Sequence, residues 1–527
     1  MQTIASPRAK RIGVLGGLAL VAAVALAGCA ALPGQVDRPI SHARVDTGDT
    51  GLAKVAAAST PVADPTLSGF RLLPDGEEAF AARLALIRRA EKTIDVQYYL
   101  IAADGTGRRF LDELAAAAAR GVRVRVLVDD LSATGSDELF AALAGRPGVE
   151  VRSFNPLPVR GASFARRLTL SLHDLPRINR RMHNKLFIAD DSFAITGGRN
   201  IGDEYFGRGR SAHFIDMDLL STGPVVGELS ALFDRFWNSP YAYPMQSLVR
   251  SLPRQGNAEG ATPIVTASLP SEPSRRVDDA DDGGTIGAEL DRGAVAQRFA
   301  RARLLADAPS AIADDDPDRG DSAVMQAHLE LVASAEATVL VATPYFVPGA
   351  DGLATLREAR GRDVRFTVMT NSLASTDEPL VHFGYARYRR DLLKLGVSLH
   401  ELMPMPDAVA ASGDERHGAS VGRLHAKLVV VDDRWVSIGS MNMDRRSARA
   451  NTEAAIVIDD PVLAGEVATF LERGRRSASY ALRLSHGSAR IGWVGWAGAV
   501  VRDEPRPDSG AGLKQRLVSF LVPEELL

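Results

Sequence analysis

The sequence predicts an α/β protein of two tandem domains, each a mixed sheet flanked by helices, the pair related by a pseudo-twofold axis. Three observations predict it. At 527 residues the chain exceeds one ordinary domain, and its length suggests two to three. Helix-like and strand-like segments alternate in β-α-β order, which favours parallel or mixed sheets with helices on their faces. The second half then repeats the first: Ala90 and Ala335 are 245 residues apart, Val122 and Val364 are 242 apart, and so are His183 and His425. A near-constant offset at three landmarks indicates duplication of a whole domain.

The elements follow in order. Arg8, Lys10 and Arg11 precede an uncharged, largely apolar run from Ile12 to Ala27. That run is shorter than the roughly 20 residues a spanning helix needs, so residues 1–28 read as a cleaved signal peptide. Leu26-Ala27-Gly28-Cys29 resembles a bacterial lipobox, in which the cysteine is diacylglycerylated and becomes the new N-terminus. Cys29 is the only cysteine, so an intramolecular disulfide is impossible. Two acyl chains give stable anchoring; the expectation is a membrane lipoprotein facing the periplasm, with inner or outer membrane left open. Loss of the signal removes three positive charges and takes the net charge from −3 to about −6.

Residues 29–66 are rich in Ala, Pro, Ser, Thr and Asp without a period and read as a flexible tether. The first domain is placed at 67–250. In it Ala79 to Ala90 has helical spacing, Thr93 to Leu100 is strand-like, and Thr106 to Arg120 is helical until Gly121 stops it. VRVRVLVDD (122–130) is the next strand. Residues 251–292 lack aromatics and are rich in Pro, Ser, Gly and Asp, as a linker or insertion is. The second domain is placed at 293–500 and a C-terminal tail at 501–527. DDDPDRGD (314–321) lacks the glycine and glutamate of a calcium-binding EF-hand loop and reads as a solvated acidic loop.

Within the repeat, MHNKLFIADDSFAITGGRN (182–200) aligns without a gap on LHAKLVVVDDRWVSIGSMN (424–442). His183 and Lys185, and equally His425 and Lys427, are two residues apart, which on a strand puts both side chains on one face. LFIA and LVVV read as strands buried on both sides, with an aspartate at the end. Gly197-Gly198-Arg199-Asn200 and Gly439-Ser440-Met441-Asn442 follow at turns, where small residues let amides approach an anion. Two imidazoles, two ammonium groups and two carboxamides suit a phosphodiester. One imidazole attacks phosphorus while the other protonates the leaving alkoxide, and the lysines neutralise the non-bridging oxygens. No metal or other cofactor is then required. One copy supplies half of this set, which is a chemical reason for the repeat.

His183-x-Lys185-x4-Asp190 and His425-x-Lys427-x4-Asp432, each followed by G-[GS]-x-N, resemble the HKD motifs of the phospholipase D superfamily. The resemblance covers residues 67 to about 480. VQYYLIAADGTG, RRMHNKLFIAD, GGRNIGDEYF, TNSLASTDEP, GSMNMDRRS and the terminal LVPEELL are most similar to bacterial cardiolipin synthases of the C type. The resemblance implies two phospholipase D-like domains and transfer of a phosphatidyl group to the glycerol hydroxyl of phosphatidylglycerol through a phosphohistidine. It implies that Asp190 and Asp432 orient and brace the site. An acidic residue is set against each histidine: Glu453 in the second half, and Asp216 in the first with Asp218 as the alternative. Asn200, Asn442 and Ser440 are expected to bind or orient phosphate. By the same analogy His183 is the nucleophile and His425 the acid, then the base. Gly198 departs from the commoner serine.

The expected partners are phospholipids, phosphatidylglycerol and as a second donor phosphatidylethanolamine, with the membrane reached through Cys29 and a protein partner left open. Nucleic acid is not expected, since polyanion binding wants a net basic track. The alternatives are a phospholipase D-type hydrolase, another phosphodiesterase such as a nuclease, and a non-catalytic lipid-binding lipoprotein. Arg160, Arg166, Arg167, Arg177, Arg180 and Arg181 face a single acid, Asp174, and read equally as a rim for anionic headgroups or a solvated face. Trp493 and Trp496, with the terminal segment, read as a helix packed on the core or as an interfacial dip.

Overall fold

A computed structural model describes residues 32–60, 64–131, 136–160, 164–208, 213–249, 284–313, 321–404, 422–485, 490–495 and 498–506. The signal segment with Cys29, the acidic run at 314–320, most of the linker, Trp496 and residues 507–527 lie outside these.

The fold is α/β with mixed sheets. Asp75 accepts a hydrogen bond from the Glu78 amide and starts the helix Gly76–Arg89, which buries Phe80, Leu84 and Ile87 and ends in two arginines. Capping and end charge both favour those limits. The strands Thr93–Tyr98 and Arg123–Asp129 pair in parallel on either side of the helix Gly105–Ala119. From its outer edge the first sheet runs Ala242–Pro244, Val149–Phe154, Arg123–Asp129, Thr93–Tyr98, Leu186–Ala189, Phe193–Gly197, Asp218–Thr222 and Ser68–Leu73. The second sheet repeats this order: Ser398–Leu402, Arg365–Asn371, Thr338–Ala342, Leu428–Val431, Trp435–Gly439, Ala454–Asp459 and Arg298–Ala306. Register shows which residues are equivalent. Gly197 faces Asp218 and Gly439 faces Ala455, so Asp216 and Glu453 hold the same place in the two halves.

The sheets meet edge to edge, Ser68–Phe70 antiparallel to Arg298–Ala300. Behind that joint lies a core common to both halves, in which Leu186, Ile188 and Leu229 belong with Leu428, Val430 and Ile456. A fully buried aliphatic side chain contributes about 1.5–3 kcal/mol, so packing as well as strand pairing fixes the joint.

The expected tether is in part built structure. Gly51–Ser59 is a helix that buries Leu52. Before it, the chain lies along the first domain with its carbonyls turned to arginines: Arg152 donates to Pro39, Arg125 to Ser41 and Arg123 to His42. The Ala43 amide donates to Asp234. Main-chain polar contacts of this kind leave no hydrophobic period, so composition alone reads the segment as a tether. Trp493 also differs from both of its readings. It lies in the strand Ile491–Val494, 5 % exposed, and its indole donates to Glu401 at 2.8 Å.

Candidate active site

Each histidine follows a two-residue strand that crosses to the other half. Arg181–Met182 runs parallel to Asn451–Thr452, and the His183 amide donates to the Thr452 carbonyl at 3.0 Å. Arg423–Leu424 runs parallel to Phe214–Ile215, and the His425 amide donates to Ile215 at 2.8 Å. The strands Leu186–Ala189 and Leu428–Val431 begin only after each lysine. The two His-x-Lys segments are therefore links between halves, not the strand residues that their spacing predicts.

The carboxylates cross as well. His183 Nδ1 lies 3.0 Å from both oxygens of Glu453 in the second half, and His425 Nδ1 lies 2.6 Å from Asp216 Oδ2 in the first. A carboxylate on Nδ1 fixes the ring and leaves Nε2 for a substrate. The surroundings of the two acids differ. Ser440 donates to Glu453 at 2.5 Å. Gly198 leaves the equivalent space to Asp216, whose Oδ1 would be 2.1 Å from any Cβ added there. Asp218, the alternative acid, instead pairs with buried Arg83 at 2.8 Å.

Burial governs the electrostatics. It pushes the Glu453 carboxyl up to about 7, with Lys185 pulling the other way. It pushes Asp216 up too, but His425 and Lys427 outweigh it and hold that carboxyl down at about 2. Burial lowers Lys185 to about 7 and Lys427 to about 8, each lysine opposed by Glu453 and Asp216. It lowers both imidazoles, His183 well below the usual range, helped by the charges of Lys185, Lys427 and His425. The two histidines and the two lysines thus feel one another's charge. Each lysine donates to the carbonyl of its own histidine.

Other expected residues stand elsewhere or differently. Asp190 and Asp432 lie past the far ends of their strands, five residues from the lysines or about 16 Å of extended chain. Asp190 accepts from the amides of Glu91, Lys92 and Thr93, and Asp432 from those of Glu336, Ala337 and Thr338, all at 2.8–2.9 Å. They brace the fold and do not touch the histidines. In the glycine-containing turns the amides of Gly198, Ser440 and Arg199 are taken up inside the protein, by Met217, Ala454 and the Asp218 carboxylate. Their small residues admit the neighbouring strand instead. Asn200 donates to the Tyr205 hydroxyl at 2.8 Å, and the carboxamide oxygens of Asn200 and Asn442 are buried without a partner.

Of the six rim arginines two are buried and three are half-buried. Arg167 pairs with Asp130 and Arg181 with Asp129, all four buried, while Arg166 is exposed. A cavity of about 800 Å³ lined by Arg365, Phe366, Ser398 and Leu471 contains neither histidine.

Aromatic rings that the sequence reading passed over wall the cluster. Tyr99 meets His183 edge-on at 5.2 Å, and Tyr205 and Phe214 lie 5.2 and 5.0 Å from His425. Tyr99 stands in the quoted VQYYL and Tyr205 in GDEYF, but a tyrosine next to a strand carries no mark of what it faces.

A family model described as "Cardiolipin synthase, PLD-like domain" matches residues 84–237 and again 329–474. The chain is 34% identical to cardiolipin synthase C of Escherichia coli K12 across 90% of its own length and 100% of that protein. It is 27% identical to cardiolipin synthase 2 of Staphylococcus epidermidis, over 74% of this chain and 64% of the other. Among solved structures, phosphatidylserine synthase of Haemophilus influenzae superposes with a TM-score of 0.53 at 16% identity, covering 79% of this chain and 90% of that one, a likeness of fold.

Proposed function

This chain belongs to the phospholipase D-like family of cardiolipin synthases, and from that premise we propose that it makes cardiolipin by transferring a phosphatidyl group to phosphatidylglycerol. The observation that carries the reading is the crossed pair of dyads: the Nδ1 of each histidine is held by a carboxylate of the other half, which leaves both Nε2 atoms for a substrate.

In the first step His183 Nε2 attacks phosphorus. The bond to the headgroup oxygen breaks, and that oxygen takes the proton of His425 Nε2. Lys185 and Lys427 bind the non-bridging oxygens, where negative charge is held through the transition state. In the second step neutral His425 removes a proton from the glycerol hydroxyl of phosphatidylglycerol. The oxygen attacks phosphorus, the P–N bond breaks, and His183 is regenerated. The division of labour rests on the acids. The ionised Asp216, 2.6 Å from His425, favours the imidazolium that an acid–base catalyst needs. His183 is the more strongly held neutral, as a nucleophile must be.

The test is the purified full chain with labelled phosphatidylglycerol, with and without phosphatidylethanolamine. Cardiolipin as the product supports the reading, and phosphatidic acid alone would make the protein a hydrolase. Trapping under alkaline conditions, which preserve a P–N bond, should give a modified peptide containing His183; one containing His425 reverses the roles. We also propose that Cys29 is lipidated and holds the enzyme on a periplasm-facing membrane. Cys29→Ala should then move the protein from the membrane to the soluble fraction.

A further inference from the structure

We propose that Asp377, oriented by Tyr345, forms a subsite beside His425 that accepts a hydrogen bond from the second hydroxyl of a 1,2-diol and so selects a glycerol headgroup as acceptor. The inference rests on the transfer step proposed above. It gives the attacking alcohol a binding residue, which the histidines and lysines do not supply.

The Tyr345 hydroxyl donates to Asp377 Oδ2 at 2.8 Å, which fixes the carboxylate. Its other oxygen, Oδ1, is buried and has no partner. A buried carboxylate oxygen without a donor is costly, and a substrate hydroxyl would relieve that cost. Asp377 comes six residues after Asn371, whose carboxamide bonds both the amide and the carbonyl of Leu424, the residue before His425; its charge accordingly raises the proton affinity of His425 and Lys427. With those cations already balancing it, Asp377 calls for a neutral donor more than a second cation.

At the sequence offset that relates the halves, the first half has no acid in this place. The strands Arg123–Asp129 and Arg365–Asn371 are equivalent at an offset of 242, and that offset carries Asp377 onto Gly135. An acid present on one side alone distinguishes the two faces of a pseudosymmetric centre. It belongs with the histidine that must deprotonate an alcohol. A phosphate there would be repelled by the carboxylate, whereas the far end of a glycerol headgroup would not.

The experiment uses 1,2-propanediol and 1-propanol, acceptors that differ by one hydroxyl. Purified full chain is given phosphatidyl-p-nitrophenol in mixed micelles with both alcohols at equal concentration, and the two phosphatidyl products are quantified by mass spectrometry. A hydrogen bond to a charged acceptor corresponds to a preference of about tenfold or more for the diol in the wild type. Asp377→Ala should bring the ratio close to one. Tyr345→Phe, and Asp377→Asn should Asp377→Ala fail to fold, should lower it in part. A structural role would depress both products together, so a ratio unmoved in the variants overturns the subsite, as does a wild-type ratio near one. Phosphatidic acid as the wild type's only product overturns the transferase reading and the subsite together.

Discussion

Gly198 and Ser440 occupy equivalent places, yet neither tolerates the other's side chain equally. A Cβ at 198 would meet Asp216 Oδ1 at 2.1 Å, whereas the Ser440 hydroxyl is a donor to Glu453. Glycine with aspartate and serine with glutamate are two matched sets, so the departure from the commoner serine is a fit to the shorter acid. Gly198→Ser should push Asp216 off His425 and lower kcat on the order of 100-fold or more, as expected when a histidine loses its orienting carboxylate. Ser440→Gly removes the hydroxyl that bonds Glu453 and the Ala454 main chain and should cost about tenfold; headgroup release from labelled phospholipid measures both. The lysines set a pH limit. Burial brings Lys185 to about 7 and Lys427 to about 8, and only their protonated forms neutralise phosphate. kcat/KM should therefore fall as pH rises through 7 to 8. On the acid side His183, held well below its usual value, stays neutral. Glu453, raised to about 7, loses its charge as pH falls below that value, so the initial attack should weaken in mild acid as it should in Glu453→Gln. A pH–rate profile with no alkaline fall before pH 10 would remove the lysines from this role.

The hairpins that follow each lysine show what spacing reveals and what it hides. Leu186–Ala189 and Leu428–Val431 are buried throughout, as their apolar runs predict. The doubled aspartates after them take left-handed backbone, with φ of 48° and 48° at Asp190 and Asp191, and 54° and 50° at Asp432 and Asp433. Aspartate adopts this region more readily than most residues, and the first of each pair then ties three amides of the adjacent strand. Asp190 is fully buried and Asp432 partly exposed. Asp190→Ala should cost about 3 kcal/mol of stability and Asp432→Ala about 1, because water replaces the lost acceptor only at the second. Thermal melting gives the order, and kcat of the folded enzyme should suffer far less than on loss of a histidine. The His-x-Lys segments were misplaced for a related reason. The two-residue bridges that hold them have no period, and their partners are some 270 and 209 residues away.

At the scale of the whole molecule, the repeat offsets and the order of elements were legible because a duplicated sheet keeps its apolar pattern. The exchange of carboxylates between halves was not, since a sequence aligns Asp216 with Glu453 but does not say which histidine each one faces. The exchange predicts that damage in one half silences the histidine of the other. With phosphatidyl-p-nitrophenol, whose leaving group needs no acid, Asp216→Asn should keep an initial burst of nitrophenol and Glu453→Gln should lose it; the reverse pattern would assign the nucleophile to His425. The segment along the first domain has its own bearing on the proposed anchor. Arg38, which bonds to Ala242, is nine positions after Cys29, and nine extended Cα–Cα steps span about 30 Å. An acylated Cys29 would hold the first domain that close to the bilayer. The crossed acids also govern when the chain becomes reactive. A ribosome that has delivered only the first 250 residues has delivered His183 without Glu453, and Asp216 without a histidine to serve. A polypeptide whose site needs both halves thus stays inert until the second half has been made, and its chemistry switches on in one event when the halves close.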